Sequence, residues 1–298
     1  MSWREDGARL TAVYWAYRAL EATAMALPER VGRRLFEALG AFAYRVLPGV
    51  RRTVAANQAQ VLGKRPETPL VRSATREAFR LYARYWYDTF RLRALPREEM
   101  LRRTRFEGAE HFAAALEGGK GCIAVIPHMG NWDAAGHWLA AEGFAIAAVA
   151  EVLKPQRLAD LFVRHREELG LRIVPLAEGT HVGQQLAKLL GENWLVALVA
   201  DRDLSGKGVR VDMFGAERRV PAGPGLLSVT TGAPVIVCSS YTTEDGWLVR
   251  AEPPLAVERT GDTRADVTAL SRAMASAFER AIAARPPDWH LFQPAWPS

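Results

Sequence analysis

The stretch Gly121-Cys122-Ile123-Ala124-Val125-Ile126-Pro127-His128-Met129-Gly130-Asn131-Trp132-Asp133 decides how this chain reads. Cys122–Ile126 is short, apolar and β-branched, which predicts a buried strand. Gly130-Asn131 breaks that strand, and Asp133 to Ala140 reads as the opening turns of a helix. Working outward, apolar runs recur at 122–127, 145–150, 172–176, 195–200 and 234–238, separated by helical patterns at 133–142, 155–169, 180–191 and 222–231. Strands alternating with helices predict an α/β fold: a mostly parallel central sheet flanked by helices on both faces.

Upstream the periodicity is helical only, over 9–27, after Pro28, over 51–62 and over 69–93. The second of these carries Val31, Leu35, Leu39, Phe42 and Val46 on one face. The organisation expected is an N-terminal helical, membrane-associating region over 1–104 and an α/β core over 105–298, joined in one compact domain. An amphipathic helix over 264–284 precedes an aromatic tail, Pro287-Asp288-Trp289-His290 and onward, expected to pack back on the core.

Composition narrows the function classes. The net charge is +6, and it is uneven: residues 1–120 hold 22 Lys/Arg against 13 Asp/Glu, the remainder 17 against 20. That excess suggests an anionic surface as partner. No helix-turn-helix, zinc-finger or ribonucleoprotein motif supports a nucleic acid in that role. Cys122 and Cys238 both lie in apolar runs, so reduced, buried thiols are expected. No apolar run reaches the roughly 18 residues of a spanning helix. Arg9, Arg18 and Glu21 interrupt the first apolar stretch, so no signal peptide is expected.

The residues that carry chemistry gather at predicted strand ends, where parallel sheets bind ligands. His128 ends the first strand, with Asp133 five positions on, a base-and-carboxylate pair as readily structural as catalytic. Glu151 ends the next strand and would reach the imidazole if the two strands are neighbours. Asp201-Arg202-Asp203 ends another. Arg164 and Arg166 fall on the helix after Glu151, as candidates to clamp an anion. His137 is badly spaced for a zinc pair with His128, so no metal site is expected.

Taken together, His128-Met129-Gly130-Asn131-Trp132-Asp133, Ala200-Asp201-Arg202-Asp203-Leu204, Pro221-Ala222-Gly223-Pro224, Thr231-Gly232-Ala233-Pro234 and Pro287-Asp288-Trp289-His290 resemble the bacterial lysophospholipid/lipid A acyltransferase superfamily. The chain is most similar to its actinobacterial phosphatidylinositol mannoside branch. The resemblance implies transfer of a palmitoyl-like chain from acyl-CoA to a mannose hydroxyl of a membrane glycolipid, without a cofactor. It places the protein peripherally on the cytoplasmic face of the cell membrane. Another lysophospholipid or lipid A-type acceptor, and acyl-ACP as donor, are the alternatives. Carried over, His128 is the general base, Glu151 its carboxylate partner and Asp133 the second motif residue of the catalytic set, read here as shaping the turn that presents the histidine, with Arg164, Arg166, Asp201 and Arg202 at the substrate edge. Backbone amides at Gly130-Asn131, or an arginine, would meet the oxyanion.

Overall fold

The computed structural model describes residues 7–152, 154–176, 181–203 and 206–296. Its elements run α1 (Gly7–Ala26), α2 (Glu29–Val46), α3 (Pro48–Leu62), α4 (Pro69–Leu92), α5 (Arg97–Arg103), β1 (Thr104–Glu107), α6 (Ala109–Glu117), β2 (Cys122–Ile126), α7 (Trp132–Ala141) and β3 (Ile146–Glu151). There follow α8 (Gln156–Glu168), β4 (Arg172–Leu176), α9 (Val182–Gly191), β5 (Leu195–Val199), β6 (Val209–Met213), β7 (Ala216–Val220), α10 (Gly223–Thr231), β8 (Val235–Thr242), β9 (Trp247–Ala251) and α11 (Thr263–Ala284). A 3-10 turn at Pro286–Asp288 leads into the tail.

Seven strands form one sheet in the order β1-β9-β8-β2-β5-β3-β4. All neighbours are parallel except β8 and β9. β2 sits at the centre with every residue buried, as a strand covered on both faces must be. Its alternation splits the core: Ile123 and Val125 join a cluster with Leu186, Leu270 and Phe278 of α9 and α11. Cys122, Ala124 and Ile126 join another with Phe112 of α6 and Leu139 of α7. The α/β reading of the sequence therefore holds. β6 and β7 form a separate antiparallel hairpin that the sequence reading did not anticipate, nor did it place α5, β1 and α6.

α4 starts at a Thr68 cap followed by Pro69 and lies across the carboxyl edge of the sheet, where Tyr85 packs on Trp132 with ring centroids 4.4 Å apart. α2 packs against α4 through Gly32, Phe36 and Gly40. A Cβ at Gly40 would come 2.4 Å from the Phe79 carbonyl, so this seam needs glycine. The face the sequence marked as apolar points the other way: Val31, Leu35, Leu39, Phe42 and Val46 are exposed. No helix among the described residues is long and apolar enough to cross a membrane.

The turn after β2 is held on three sides. Gly130 adopts φ +58°, and a Cβ there would meet the Ser240 carbonyl oxygen at 2.1 Å. The Gly130 N–H donates to the Asp288 carbonyl at 2.9 Å, and Asn131 caps α7 by accepting from the Ala134 N–H. Gly130→Ala is therefore expected to cost about 3 kcal/mol from the left-handed backbone and the clash together. Gly183→Ala, a helical site with open space around it, should change stability by less than about 1 kcal/mol. Denaturant unfolding of the two variants checks the contrast.

Candidate active site

His128 follows β2 and Asp201 follows β5, and these two strands are adjacent in register, Ile126 opposite Val199. That adjacency brings the imidazole Nδ1 to 2.5 Å from Asp201 Oδ1. Asp201 is fully buried, and its other carboxylate oxygen accepts from Trp289 Nε1 at 2.7 Å. Burial alone would raise this carboxyl's pKa, but the imidazole, the indole N–H and the nearby Arg218 guanidinium outweigh it and hold the group well below the usual carboxylate range. An ionised carboxylate on Nδ1 fixes the tautomer with Nδ1 protonated, which leaves Nε2 with its lone pair. Nε2 has no hydrogen-bond partner among the described residues, and the ring lines two cavities.

The sequence expectation for Glu151 is corrected by this geometry. β5 lies between β2 and β3, so Glu151 does not neighbour His128. Its carboxylate, half exposed, pairs with Arg202 at 2.7 Å. Arg202 also donates to Gln293 at 2.7 Å, and its Nε makes no hydrogen bond among the described residues. Asp201 was placed at the substrate edge by the sequence, and the structure puts it on the histidine instead.

Asp133, in the first turn of α7, is buried away from the imidazole. It accepts from Arg166 Nε at 2.7 Å and from the Tyr85 hydroxyl at 3.0 Å, tying α7 to α8 and α4. Burial and the carboxylate beside it hold the Tyr85 phenol well above its ordinary pKa, so it stays a donor. Arg166 is thus committed to Asp133 while also lining both cavities. Arg164 faces solvent on α8 and lines neither. The backbone amides proposed for an oxyanion are also spoken for: Gly130 N–H meets Asp288, and Asn131 N–H meets the Ser240 hydroxyl at 3.1 Å.

One cavity, about 250 Å³, enters between β2, β5, β3 and α7. Small side chains open it (Ala124, Ala135, Gly136, Ala148, Ala197), and Phe112, Leu195 and Cys238 close it. Burial pushes the Cys238 thiol up to about 12, so it serves as an inert wall. The other cavity, about 220 Å³, is walled by Tyr82, Tyr85, Trp86, Trp132 and Phe292, with His290 at its back. His290 is neutral, since burial drives its pKa down to about 3; its Nε2–H donates to the Gly130 carbonyl. Tyr85, Trp289, Arg218 and His290 carry no local signal in the sequence that marks them as site residues, although Trp289 and His290 lie in the tail motif Pro287-Asp288-Trp289-His290. Among the described residues, no group of three or more His, Cys, Asp or Glu side chains converges as a metal site.

Residues 5–298 match the family model described as bacterial lipid A biosynthesis acyltransferase. The chain is 38% identical over 273 residues to a phosphatidylinositol mannoside acyltransferase of Mycolicibacterium smegmatis, covering 91% of this chain and 87% of that protein. It is 38% identical over 292 residues to the protein of the same description from Mycobacterium tuberculosis strain H37Rv, covering 96% and 89%. With that coverage, the chain belongs to the bacterial lipid A biosynthesis acyltransferase family and is an acyltransferase of lipid biosynthesis.

Proposed function

We propose that this enzyme moves a long fatty acyl chain from acyl-CoA to a mannose hydroxyl of a phosphatidylinositol mannoside, with His128 as general base. The observation that carries the reading is the His128–Asp201 pair at the mouth of an apolar slot, in a chain 38% identical to phosphatidylinositol mannoside acyltransferases. A sugar hydroxyl is too weak an acid to attack a thioester unaided at neutral pH, and imidazole, with a reference pKa of ~6.5, suits the task. Nε2 takes the hydroxyl proton as the oxygen attacks the carbonyl carbon. The tetrahedral oxyanion needs positive charge, and Arg202, whose side chain lines both cavities, would give it. As the C–S bond breaks, imidazolium returns the proton to the thiolate of CoA. No acyl-enzyme is needed.

Asp201 takes the role the sequence gave to Glu151, holding Nδ1–H and stabilising imidazolium. The slot lined by alanines suits the acyl chain, and the aromatic cavity suits a sugar ring stacked on Trp132 or Tyr82. The outward apolar stripe of α2, flanked by Arg30, Arg34 and Arg45, suits an anionic bilayer, as peripheral attachment to the cytoplasmic face of the cell membrane requires.

Three outcomes test the reading. With palmitoyl-CoA and phosphatidylinositol mannoside, His128→Ala should lose at least about 10³-fold in kcat and Asp201→Asn about 10²–10³-fold, while Glu151→Gln loses less than about tenfold. A fully active, folded His128→Ala enzyme contradicts it; preference for acyl-ACP, or for a lysophospholipid or lipid A-type acceptor, redirects the substrate. Ala197→Leu, which fills the slot, should cut kcat/KM for palmitoyl-CoA at least about tenfold and spare butyryl-CoA. Sedimentation with vesicles containing anionic phospholipid should drop at least about tenfold for Leu39→Asp/Phe42→Asp, with the fold intact by circular dichroism.

A further inference from the structure

Asp201 is held by more than its histidine. Behind it lies Arg218 of β7, only 3% exposed, whose Nη2 donates to the Asp201 carbonyl oxygen at 2.5 Å. The guanidinium sits over the indoles of Trp289 and Trp296, 5.7 and 5.3 Å from their ring centroids. Its Nε and Nη1 make no hydrogen bond, and it forms no salt bridge, among the described residues. Burying a guanidinium without a bonded carboxylate is costly. The burial weakens its hold on its proton, and the charge that opposes this is Asp201.

Trp289 reaches the same carboxylate from another direction. The tail pairs antiparallel with the turn that carries His128: Met129 bridges Trp289, His290 N–H donates to the His128 carbonyl at 2.6 Å, and Gly130 N–H to that of Asp288. So the backbone around Trp289 fixes the base, while its indole N–H fixes the base's partner.

We infer that Trp289 and Arg218 are positioning residues for acyl transfer, Trp289 locking His128 and Asp201 together and Arg218 offsetting part of the carboxylate's pull on the imidazole proton. A buried carboxylate whose charge is unshared attracts an imidazolium more strongly than one whose charge is drawn off by other donors. The indole N–H and the guanidinium draw off some of that negative potential. The inference rests on His128 acting as the base. The other charges around the ring arrive as pairs, Arg166 with Asp133 and Arg202 with Glu151, and His290 is neutral. Arg218 is therefore the cation that sets the balance on Asp201.

The test is the His128 titration in the whole enzyme, read by NMR of histidine-labelled protein, with the pH–rate profile of acyl transfer beside it. Arg218→Met should raise the His128 midpoint by about 0.5–1 pH unit, and the acid limb of kcat with it. Arg218→Lys, which keeps the charge, should stay within about 0.3 unit of the parent. Trp289→Phe should lower kcat about tenfold or more, leave KM for the acyl donor within about twofold, and also raise the midpoint. If Arg218→Met does not fold, Trp289→Phe carries the test. Folded variants whose His128 midpoint does not move, whatever their loss of rate, would overturn the inference. An active His128→Ala enzyme would overturn the base reading itself, and the inference with it.

Discussion

A carboxylate buried completely at the end of one central strand, bonded to an imidazole at the end of the next, is the constraint around which this protein is arranged. An ionised Asp201 without partners could not persist there, because removing it from water costs far more than the fold can offset. Every contact it makes is therefore a structural requirement as well as a chemical one. β2 and β5 must be neighbours, the tail must return to offer Trp289, and the β6–β7 hairpin must lay Arg218 behind the carbonyl. Removing one partner would weaken, without abolishing, the set of contacts that holds the charge in the core.

A second carboxylate, Asp133, is organised the same way for a different end. Tyr85 and Arg166 satisfy it, and through it α4, α7 and α8 are fastened around the two cavities. The conspicuous histidine-to-aspartate spacing in the sequence thus joins residues that, among the described residues, hydrogen-bond to different partners. It marks the two ends of one turn, one facing the two cavities and the other anchoring their walls.

How far the sequence carries is visible in these particulars. β2, its turn and α7 were legible because the apolar run, Gly130 and the helical period are local signals. Asp201 reads from the sequence as a strand-end charge, but no local signal pairs it with His128. Strand order is not a local property: reading β3 as the neighbour of β2 gave Glu151 the role, whereas β5 inserts between them. Arg218 lies on a strand, AERRV, whose charges hide it from any hydropathy pattern, and Tyr85 reads as one more apolar residue of a long helix. The apolar face of α2 was read correctly as a stripe, yet periodicity alone cannot say whether a stripe faces inward. The glycines at 32 and 40 are the seam that decided it.

The account turns on His128 and Asp201 working as one unit, and a double-mutant cycle on acyl transfer tests that most directly. Residues that act together lose their effect together, so His128→Ala/Asp201→Ala should be no slower than about threefold below His128→Ala alone. A double variant whose loss equals the product of the two single losses would mean that the pair, however close, does not act as a catalytic unit.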